Sequence, residues 1–319
     1  MAVPKGESLS SQIQSRKPPK KLPTQRKASN TSGKMPVLAQ PIHVGHFLLM
    51  VVMKLCRKVL LMDISVKIGI YVVGVFVASV IADLFVVPPM YFSRRDNLLN
   101  LFFVNFGWIW TVLMLSAFIS LTSYVYTGCN VNLVKKHLLR LAIATFWWYV
   151  CTTAFDHMAQ RTGICTEIKL TTRHKCKEAG RVWLAFDVSG HVFLLTHNLL
   201  TIVEECRVFK DWRRLRELLQ NPDVQQMRKV SSEEVNLSKD ANEKLTPYIK
   251  AAVIMLTFFT LVWEFMLLIT SVYRFHSLAE KVAASMVSVI CWFISYRIIY
   301  PNYSHTIPYP GQTPFRYMT

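Results

Sequence analysis

Apolar runs of about 20 residues follow one another along most of the chain, separated by shorter polar segments. A run of this length lets an α-helix cross the hydrocarbon core of a bilayer, whereas a soluble domain does not concentrate its apolar residues in this way. The pattern predicts an all-α, polytopic membrane protein. Its six transmembrane helices are expected at residues 68–91, 98–124, 138–158, 184–205, 251–272 and 282–300.

Two segments before the first span differ from the rest of the chain. Residues 1–42 are polar and basic, which predicts a disordered cytosolic tail. In residues 43–62 the apolar stretch Phe47–Met53 is short and cations follow it, which favours an N-terminal interfacial amphipathic helix over a seventh span or a re-entrant segment. The remaining boundaries are those of the transmembrane domain, its long cytosolic loop and the C-terminal cytosolic tail: 63–301, 206–250 and 302–319.

The distribution of charge predicts the orientation. The net charge is +18, yet 52% of the residues are hydrophobic, the mean hydropathy is +0.29 and the apolar runs are nearly uncharged. The cations therefore indicate topology and attraction to anionic lipid headgroups, and no nucleic-acid partner is expected. Ten Lys and Arg residues in the loop at 206–250 favour the cytosol for that loop and for both termini. The loop at 159–183, on the opposite side, contradicts this in part because it carries six.

The cysteines give a weak indication of the same orientation. Cys165 and Cys176 share the loop at 159–183, on the side predicted to be lumenal or exoplasmic. They could pair in an oxidising lumen, although a disulfide cannot be read from sequence alone. The seven cysteines include no CxxC pair, and the chain has neither a Gly-rich phosphate loop nor a His-Glu-X-X-His motif.

Two histidines are predicted to lie at the lumenal end of the helices. His191 follows the predicted start of the fourth span at Leu184 and should lie roughly 10 Å inside it. His276 lies in the short turn between the fifth and sixth spans. Ionisable groups within or beside spanning helices are costly and usually mark a site, and histidine is suited to transferring protons or groups near neutral pH. The sequence therefore predicts a catalytic site built on His191 and His276.

Several neighbouring residues could support these histidines. Asp187 and Glu280 each lie four residues from a histidine, so each pair is expected to share a helix face, and a carboxylate can orient an imidazole and stabilise its cation. Ser189 and Gly190 add a small donor and room for a ligand to approach the backbone. Arg274 could donate to phosphate oxygens or extend to the membrane interface.

Other interpretations of the same residues stay open. A lone histidine inside a span often links two helices, as is favoured for His197. Nothing in the sequence requires a metal or a cofactor, although the two predicted catalytic histidines with a neighbouring carboxylate could bind a metal. A charged Glu264 in the fifth span would be energetically costly at that depth, so a protonated, hydrogen-bonding side chain is favoured over a functional site. A transporter or channel could instead use Glu264, Asp83 and His197, but no internal repeat supports it.

The segments around the two histidines resemble the fat storage-inducing transmembrane (FIT) family of the endoplasmic reticulum. The closer stretch is Phe-Asp-Val-Ser-Gly-His-Val-Phe-Leu-Leu at 186–195, continuing to Ile-Val-Glu-Glu at 202–205. The second is Phe-His-Ser-Leu-Ala-Glu-Lys at 275–281, with Trp-Phe-Ile-Ser-Tyr-Arg at 292–297 in the last span. The resemblance covers roughly residues 65–300, including the number and orientation of the spans, but not the basic tail.

The resemblance implies an activity. The FIT family is distantly similar to the lipid phosphatase superfamily, which implies that His276, oriented by Glu280, attacks phosphorus while His191 protonates the leaving group. It also implies lumenal hydrolysis of fatty acyl-CoA to acyl-4′-phosphopantetheine and adenosine 3′,5′-bisphosphate, in support of lipid droplet formation and lipid storage. The Lys-X6-Arg-Pro phosphate-binding motif of that superfamily has no convincing counterpart in this sequence.

An alternative from a different functional class is a non-catalytic protein that binds triacylglycerol or diacylglycerol and partitions neutral lipid into droplets. The two histidines would then be structural, and replacing either would leave droplet formation intact. Both descriptions could hold for one protein.

Overall fold

A computed structural model of the protein describes residues 44–166, 172–221, 231–313 and Phe315, apart from residues 86, 89, 95 and 274. The chain divides into two units, Met1–His43 and Val44–Thr319. The first unit, with the predicted disordered tail, lies outside the described residues, as do residues 316–319 of the predicted C-terminal tail.

Helices make up nearly all of the regular structure in the described part of the chain. Its α-helices are α1 Val44–Leu60, α2 Ile64–Leu84, α3 Gly107–Tyr126, α4 Val131–Thr162, α5 Arg173–Glu178, α6 Gly190–Cys206, α7 Trp212–Gln220, α8 Ser232–Val272, α9 Leu278–Phe293 and α10 Tyr300–Asn302. Short 3-10 or π-helical turns cover Tyr91–Ser93, Leu99–Val104, Arg207–Phe209 and Ile294–Ile299. Strands β1 Ile164–Cys165 and β2 Trp183–Leu184 form one antiparallel pair. The all-α prediction is confirmed.

The predicted spans are helical, with different ends. Within the described residues, five helices are long and apolar enough to cross a membrane: Ile64–Leu84, Gly107–Tyr126, Val131–Thr162, Ser232–Val272 and Leu278–Asn302. Helix α6, at the fourth predicted span, has only 17 residues. It begins at Gly190 rather than at residue 184 because Trp183–Leu184 pairs with β1 and Ser189 caps the helix. The number six stays a prediction.

Helix α6 lies at the centre of the bundle. It contacts α1, α2, α3, α4, α8 and α9. Nearly all of its side chains from Val192 to Cys206 are buried, polar ones included. We call the two ends of the bundle, where α6 begins and where it finishes, the His191 end and the Glu204 end.

A fully buried ion pair crosslinks the Glu204 end. Arg140 of α4 donates from Nε and Nη2 to the two carboxylate oxygens of Glu205, at 2.8 and 2.7 Å, and both side chains are 1% exposed. Arg140 Nη1 also donates to the carbonyl of Pro308, and Tyr296 donates to Glu205. The pairing satisfies charges that would be costly alone, and it ties α4, α6 and the C-terminal segment together.

The long loop predicted at 206–250 is partly helical. Helix α8 begins at Ser232 rather than at residue 251, so its first turns belong to this loop. It contacts α7, whose Leu215, Leu218 and Leu219 are buried. Residues 222–230 lie outside the described part. Helix α1 is tied to the start of the loop by Arg57, which donates to the carbonyls of Phe209 and Lys210.

Candidate active site

One cavity at the His191 end contains both predicted histidines. Its volume is about 450 Å³, and its polar lining includes His191, His276, Asp187, Arg94 and Asn100. The histidines reach it from different parts of the chain, because one lies at the start of α6 and the other in the turn before α9. The predicted meeting of the two histidines at one end of the bundle therefore agrees with the structure.

His191 is presented by the first turn of α6. Ser189 is the N-cap of this helix, where its buried hydroxyl accepts from the backbone N–H of Val192. An N-cap side chain satisfies a free backbone amide and so fixes where the helix begins. His191 therefore lies in the first turn of α6. His191 Nε2 lies 3.1 Å from Oδ1 of Asn100. Since an amide oxygen only accepts, this contact places a proton on Nε2 of the imidazole.

His276 is held by the backbone. Its Nδ1 lies 2.8 Å from the carbonyl oxygen of Asp187, so Nδ1 is the donor and, in the neutral imidazole, Nε2 carries the lone pair. The next residue, Ser277, caps α9 in a capping box with Glu280. The imidazole therefore stands immediately outside a helix whose first turn is fixed.

The Glu280 carboxylate joins the two segments that carry the histidines. One oxygen accepts from the backbone N–H of Asp187 and the other from that of Ser277, each at 2.8 Å. The second oxygen also lies 3.8 Å from Nδ1 of His276. Because each amide bonds a different oxygen of Glu280 and the contact with the imidazole is longer, Glu280 acts mainly as a clamp between the two segments.

The expectation that each histidine shares a helix face with its carboxylate is wrong. Asp187 precedes α6 and His276 precedes α9, because the serine caps start both helices later than the spacing suggested. The Asp187 carboxylate lies 3.5 Å from Arg173 instead. Gly190 leaves open space where a Cβ would lie, as expected for close ligand approach. Arg274 lies outside the described residues.

Sequence reasoning missed part of the lining. Asn100 orients His191, and Arg94, Asn97 and Asn105 line the same cavity. Three asparagines within nine residues of an otherwise apolar stretch were the available signal. The stretch includes the π-helical turn Leu99–Val104 and not the start of a regular span, and its three asparagines line the cavity.

A disulfide fixes the loop beside this cavity. Cys165 and Cys176 are bonded, with Cα atoms 5.9 Å apart. The bond holds α5, whose Arg173 reaches Asp187 and also lies 3.3 Å from Asp156. Gly163 is required nearby, because a Cβ there would collide with the indole of Trp183. The loop is thereby attached to the edge of the histidine cavity.

The other polar residues considered for a site lie elsewhere. His197 is buried and its Nε2 lies 3.0 Å from the carbonyl of Ala144, which agrees with a link between helices. Glu264 accepts from Lys67 and from Tyr71 at 2.9 and 2.7 Å, away from both histidines. Among the residues that the structure describes, no group of three or more His, Cys, Asp or Glu could hold a metal ion.

Comparison with known proteins gives a consistent result. The family model described as "Fat storage-inducing transmembrane protein" matches residues 88–161 and 156–296. The chain is 32% identical over 300 residues to "Acyl-coenzyme A diphosphatase FITM2" of Drosophila melanogaster, covering 91% of this chain and 70% of the relative. It is 34% identical to the Mus musculus protein of that name, covering 70% and 79%, and 25% identical to the Caenorhabditis elegans one, covering 82% and 89%. No solved structure gives a significant match.

Proposed function

The chain belongs to the fat storage-inducing transmembrane protein family, and on this premise we propose that it is a fatty acyl-CoA diphosphatase. It cleaves the diphosphate of acyl-CoA to acyl-4′-phosphopantetheine and adenosine 3′,5′-bisphosphate, and thereby supports lipid droplet formation and lipid storage. The observation that carries the proposal is the shared cavity in which His191 and His276 present differently protonated nitrogens.

The two imidazoles suit complementary roles. The unprotonated Nε2 of His276 attacks the phosphorus that bears the pantetheine oxygen, and the bridging P–O bond breaks. His191, protonated on both ring nitrogens, gives its Nε2 proton to the departing adenosine 3′,5′-bisphosphate and becomes neutral. Water then attacks the phosphohistidine with His191 as the base, which releases acyl-4′-phosphopantetheine and restores both imidazoles. Positioned proton transfer and a covalent intermediate divide one difficult step into two easier ones.

A cation is needed for the charge on the diphosphate. Arg94 lines the histidine cavity, so its guanidinium can donate to phosphate oxygens in paired fashion. Arg274, two residues before His276, stays a second candidate for this role. The asparagines at positions 97, 100 and 105 supply further amide groups to the same polar face.

The remaining cavity lining suits an amphiphile. Met266 and Ile269 of α8, together with Phe92 and Phe275, give the cavity an apolar side next to its polar one. An acyl chain can therefore extend toward the helices while the phosphates contact the histidines. Ligand sites commonly combine apolar walls with a few placed polar groups in this way.

We place the histidine cavity on the lumenal side of the endoplasmic reticulum membrane, with both termini and the loop at 206–250 in the cytosol. The excess of Lys and Arg in that loop supports this orientation. The disulfide beside the cavity supports it as well, since disulfides persist in oxidising compartments such as the lumen.

Hydrolysis of oleoyl-CoA by the purified full chain in detergent tests the activity. Release of adenosine 3′,5′-bisphosphate is measured for wild type, His191→Ala and His276→Ala. The matched control is His174→Ala, an exposed histidine in the disulfide-bonded loop. We expect both cavity variants to lose turnover while remaining folded, and the control to retain it. Turnover that is indifferent to both cavity histidines, or absent in wild type, contradicts the diphosphatase proposal.

Neutral-lipid binding is a second proposed function, supported by a different feature. A groove of about 410 Å³ runs between α1, α2 and α8 and is lined mainly by apolar side chains. At its base Lys67 and Tyr71 both donate to the same oxygen of Glu264, whose side chain is 31% exposed. A carboxylate facing an apolar groove favours a lipid that donates a hydroxyl hydrogen, such as diacylglycerol.

Photoaffinity labelling with a photoreactive diacylglycerol tests this second function. Replacing the ion pair as a whole, by Lys67→Met with Glu264→Leu, avoids leaving one buried charge. We expect labelling of α2 and α8 to fall about fivefold, as for the loss of roughly 1 kcal/mol of hydrogen bonding. The control is Tyr149→Phe on the exposed face of α4. Unchanged labelling in the double variant rules out this groove as the binding site.

A further inference from the structure

A second polar cavity lies at the Glu204 end, opposite the histidines. Its volume is about 150 Å³. Its charged lining consists of Asp63, Glu204, Arg207, Lys210 and Arg297. Glu204 lies 13 residues after His191 on α6, or roughly 20 Å along the helix axis, so the two cavities are separate.

Two guanidinium groups converge in this cavity from different elements. Arg207 follows α6 and Arg297 lies in the turn after α9, and they approach opposite oxygens of the buried Glu204 carboxylate at 3.7 and 3.3 Å. Both also donate to the hydroxyl of Tyr309, at 3.4 and 3.1 Å. Burial raises the pKa of Tyr309, so its hydroxyl stays protonated and accepts as a neutral group.

The guanidinium groups are fixed in place and still open to the solvent side. The Arg207 and Arg297 side chains are 44% and 34% exposed, whereas that of Glu204 is 1% exposed. A buried carboxylate that orients two partly exposed arginines leaves their outer donors available to a further anion.

The charge of the lining favours an anion. Three cations face two carboxylates, and both carboxylates already have partners within the fold. Asp63 is the N-cap of α2, where it accepts from the backbone N–H of Ser65, and this hydrogen bond holds the pKa of its carboxyl below the usual range. Glu204 accepts from Arg297 through Oε1, and its Oε2 lies 3.7 Å from Arg207. Lys210 adds a further positive charge at the opening.

The same cavity also has an apolar wall. Leu60, Leu61 and Ile64, from the junction of α1 and α2, line it together with Val203. The neighbouring surfaces of α1 and α2 expose large apolar side chains, among them Leu55, Val66 and Ile70. Exposed apolar faces of this kind meet lipid, which places the cavity at the boundary between acyl chains and water.

We propose that this cavity binds the phosphate group of an anionic membrane lipid, with Arg207, Arg297 and Lys210 as its ligands. The paired guanidinium donors suit tetrahedral phosphate oxygens, and the apolar wall contacts the start of the acyl chains. Under the proposed orientation this lipid belongs to the cytosolic leaflet, whose anionic headgroups attract cations close to the membrane surface.

Native mass spectrometry of the full chain in detergent tests the proposal. Phosphatidic acid is titrated against phosphatidylcholine, whose choline group offsets the phosphate charge. We expect phosphatidic acid to bind preferentially. Lys210→Ala is expected to weaken it about fivefold, and Lys210→Ala with Arg207→Gln about 25-fold, from roughly 1 kcal/mol per cation near the surface. Lys135→Ala, an exposed lysine at the same end of the bundle, should bind as wild type does.

Glycerol 3-phosphate distinguishes the source of the phosphate, because it carries the same group without acyl chains. We expect it not to displace the lipid at equal concentration, and displacement would assign the cavity to a soluble phosphate and overturn the lipid assignment. Equal binding of the two lipids, or unchanged binding by folded Lys210→Ala, overturns the proposal. Because Lys210 is exposed, this variant separates binding from folding, and the readout does not depend on acyl-CoA hydrolysis.

Discussion

Replacing Glu280 with Gln should uncouple the two halves of the histidine cavity while leaving the bundle folded. The carboxylate accepts two backbone N–H groups, from Asp187 and Ser277, through different oxygens at 2.8 Å. Glutamine offers a single acceptor oxygen, and its NH₂ group would face the second amide. One hydrogen bond to a charged acceptor is therefore lost, at about 1.5–3 kcal/mol.

The lost bond should appear in the rate of the chemical step. The Asp187 carbonyl positions Nδ1 of His276, so release of this segment moves the imidazole away from the phosphorus. At about 1.4 kcal/mol for each tenfold, the loss corresponds to a fall of about 10- to 150-fold in kcat. KM for oleoyl-CoA should change less, since Glu280 does not line the cavity in which the phosphates and the acyl chain bind.

The assay is steady-state release of adenosine 3′,5′-bisphosphate from oleoyl-CoA by protein reconstituted in nanodiscs. Glu178→Gln is the matched control, because Glu178 is an exposed acid in the neighbouring disulfide-bonded loop and should change kcat by less than about twofold. Wild-type kcat in Glu280→Gln would refute the clamp reasoning. A fall confined to KM would instead assign Glu280 to substrate binding.

Three further outcomes are expected. In intact protein, Cys165 and Cys176 should resist a maleimide reagent until a reductant is added, and labelling of either residue without reductant contradicts the bond. Cys165→Ser should lower the free energy of unfolding by about 2–3 kcal/mol. Arg140→Ala should destabilise the fold by about 3–5 kcal/mol, whereas Arg140→Met with Glu205→Leu should regain most of that stability in thermal unfolding. Equal losses in the two variants would mean that the unpaired charge of Glu205 is not the cause of the destabilisation. Asn100→Ala should reduce kcat about tenfold with a smaller change in KM, and an unchanged pH–rate profile with unchanged kcat would exclude a role in orienting His191.

The apolar runs predicted the helices well, because length and hydropathy are local properties. They predicted helix ends less well, since those depend on pairing between distant segments. The start of α6 depends on the pairing of Trp183–Leu184 with β1, and the hydropathy of the sequence gives no sign of this pairing. The extension of α8 to Ser232 follows from its packing with α7, although its sequence there is polar.

For the site, the sequence identified the histidines but not how they are held. The Ser277 to Glu280 spacing is a capping-box signature, and using it would have placed His276 outside the helix. The contact between Asn100 and His191 joins residues 91 positions apart, so no local pattern could predict it. Arg94 reaches the cavity for the same reason, through the fold and not through a motif.

The central position of α6 has a consequence for biosynthesis. Its 17 residues include His197, Asn198, Glu204 and Glu205, and polar groups of this kind are costly in a helix that enters a bilayer before their partners are in place. Two of the helices that cover it, α8 and α9, leave the ribosome later. During translation α6 is therefore unstable in the membrane until α8 and α9 are synthesised and pack against it. A nascent chain that ends before residue 276 lacks both His276 and α9, which leaves α6 partly uncovered, so such truncations should be recognised by membrane quality control.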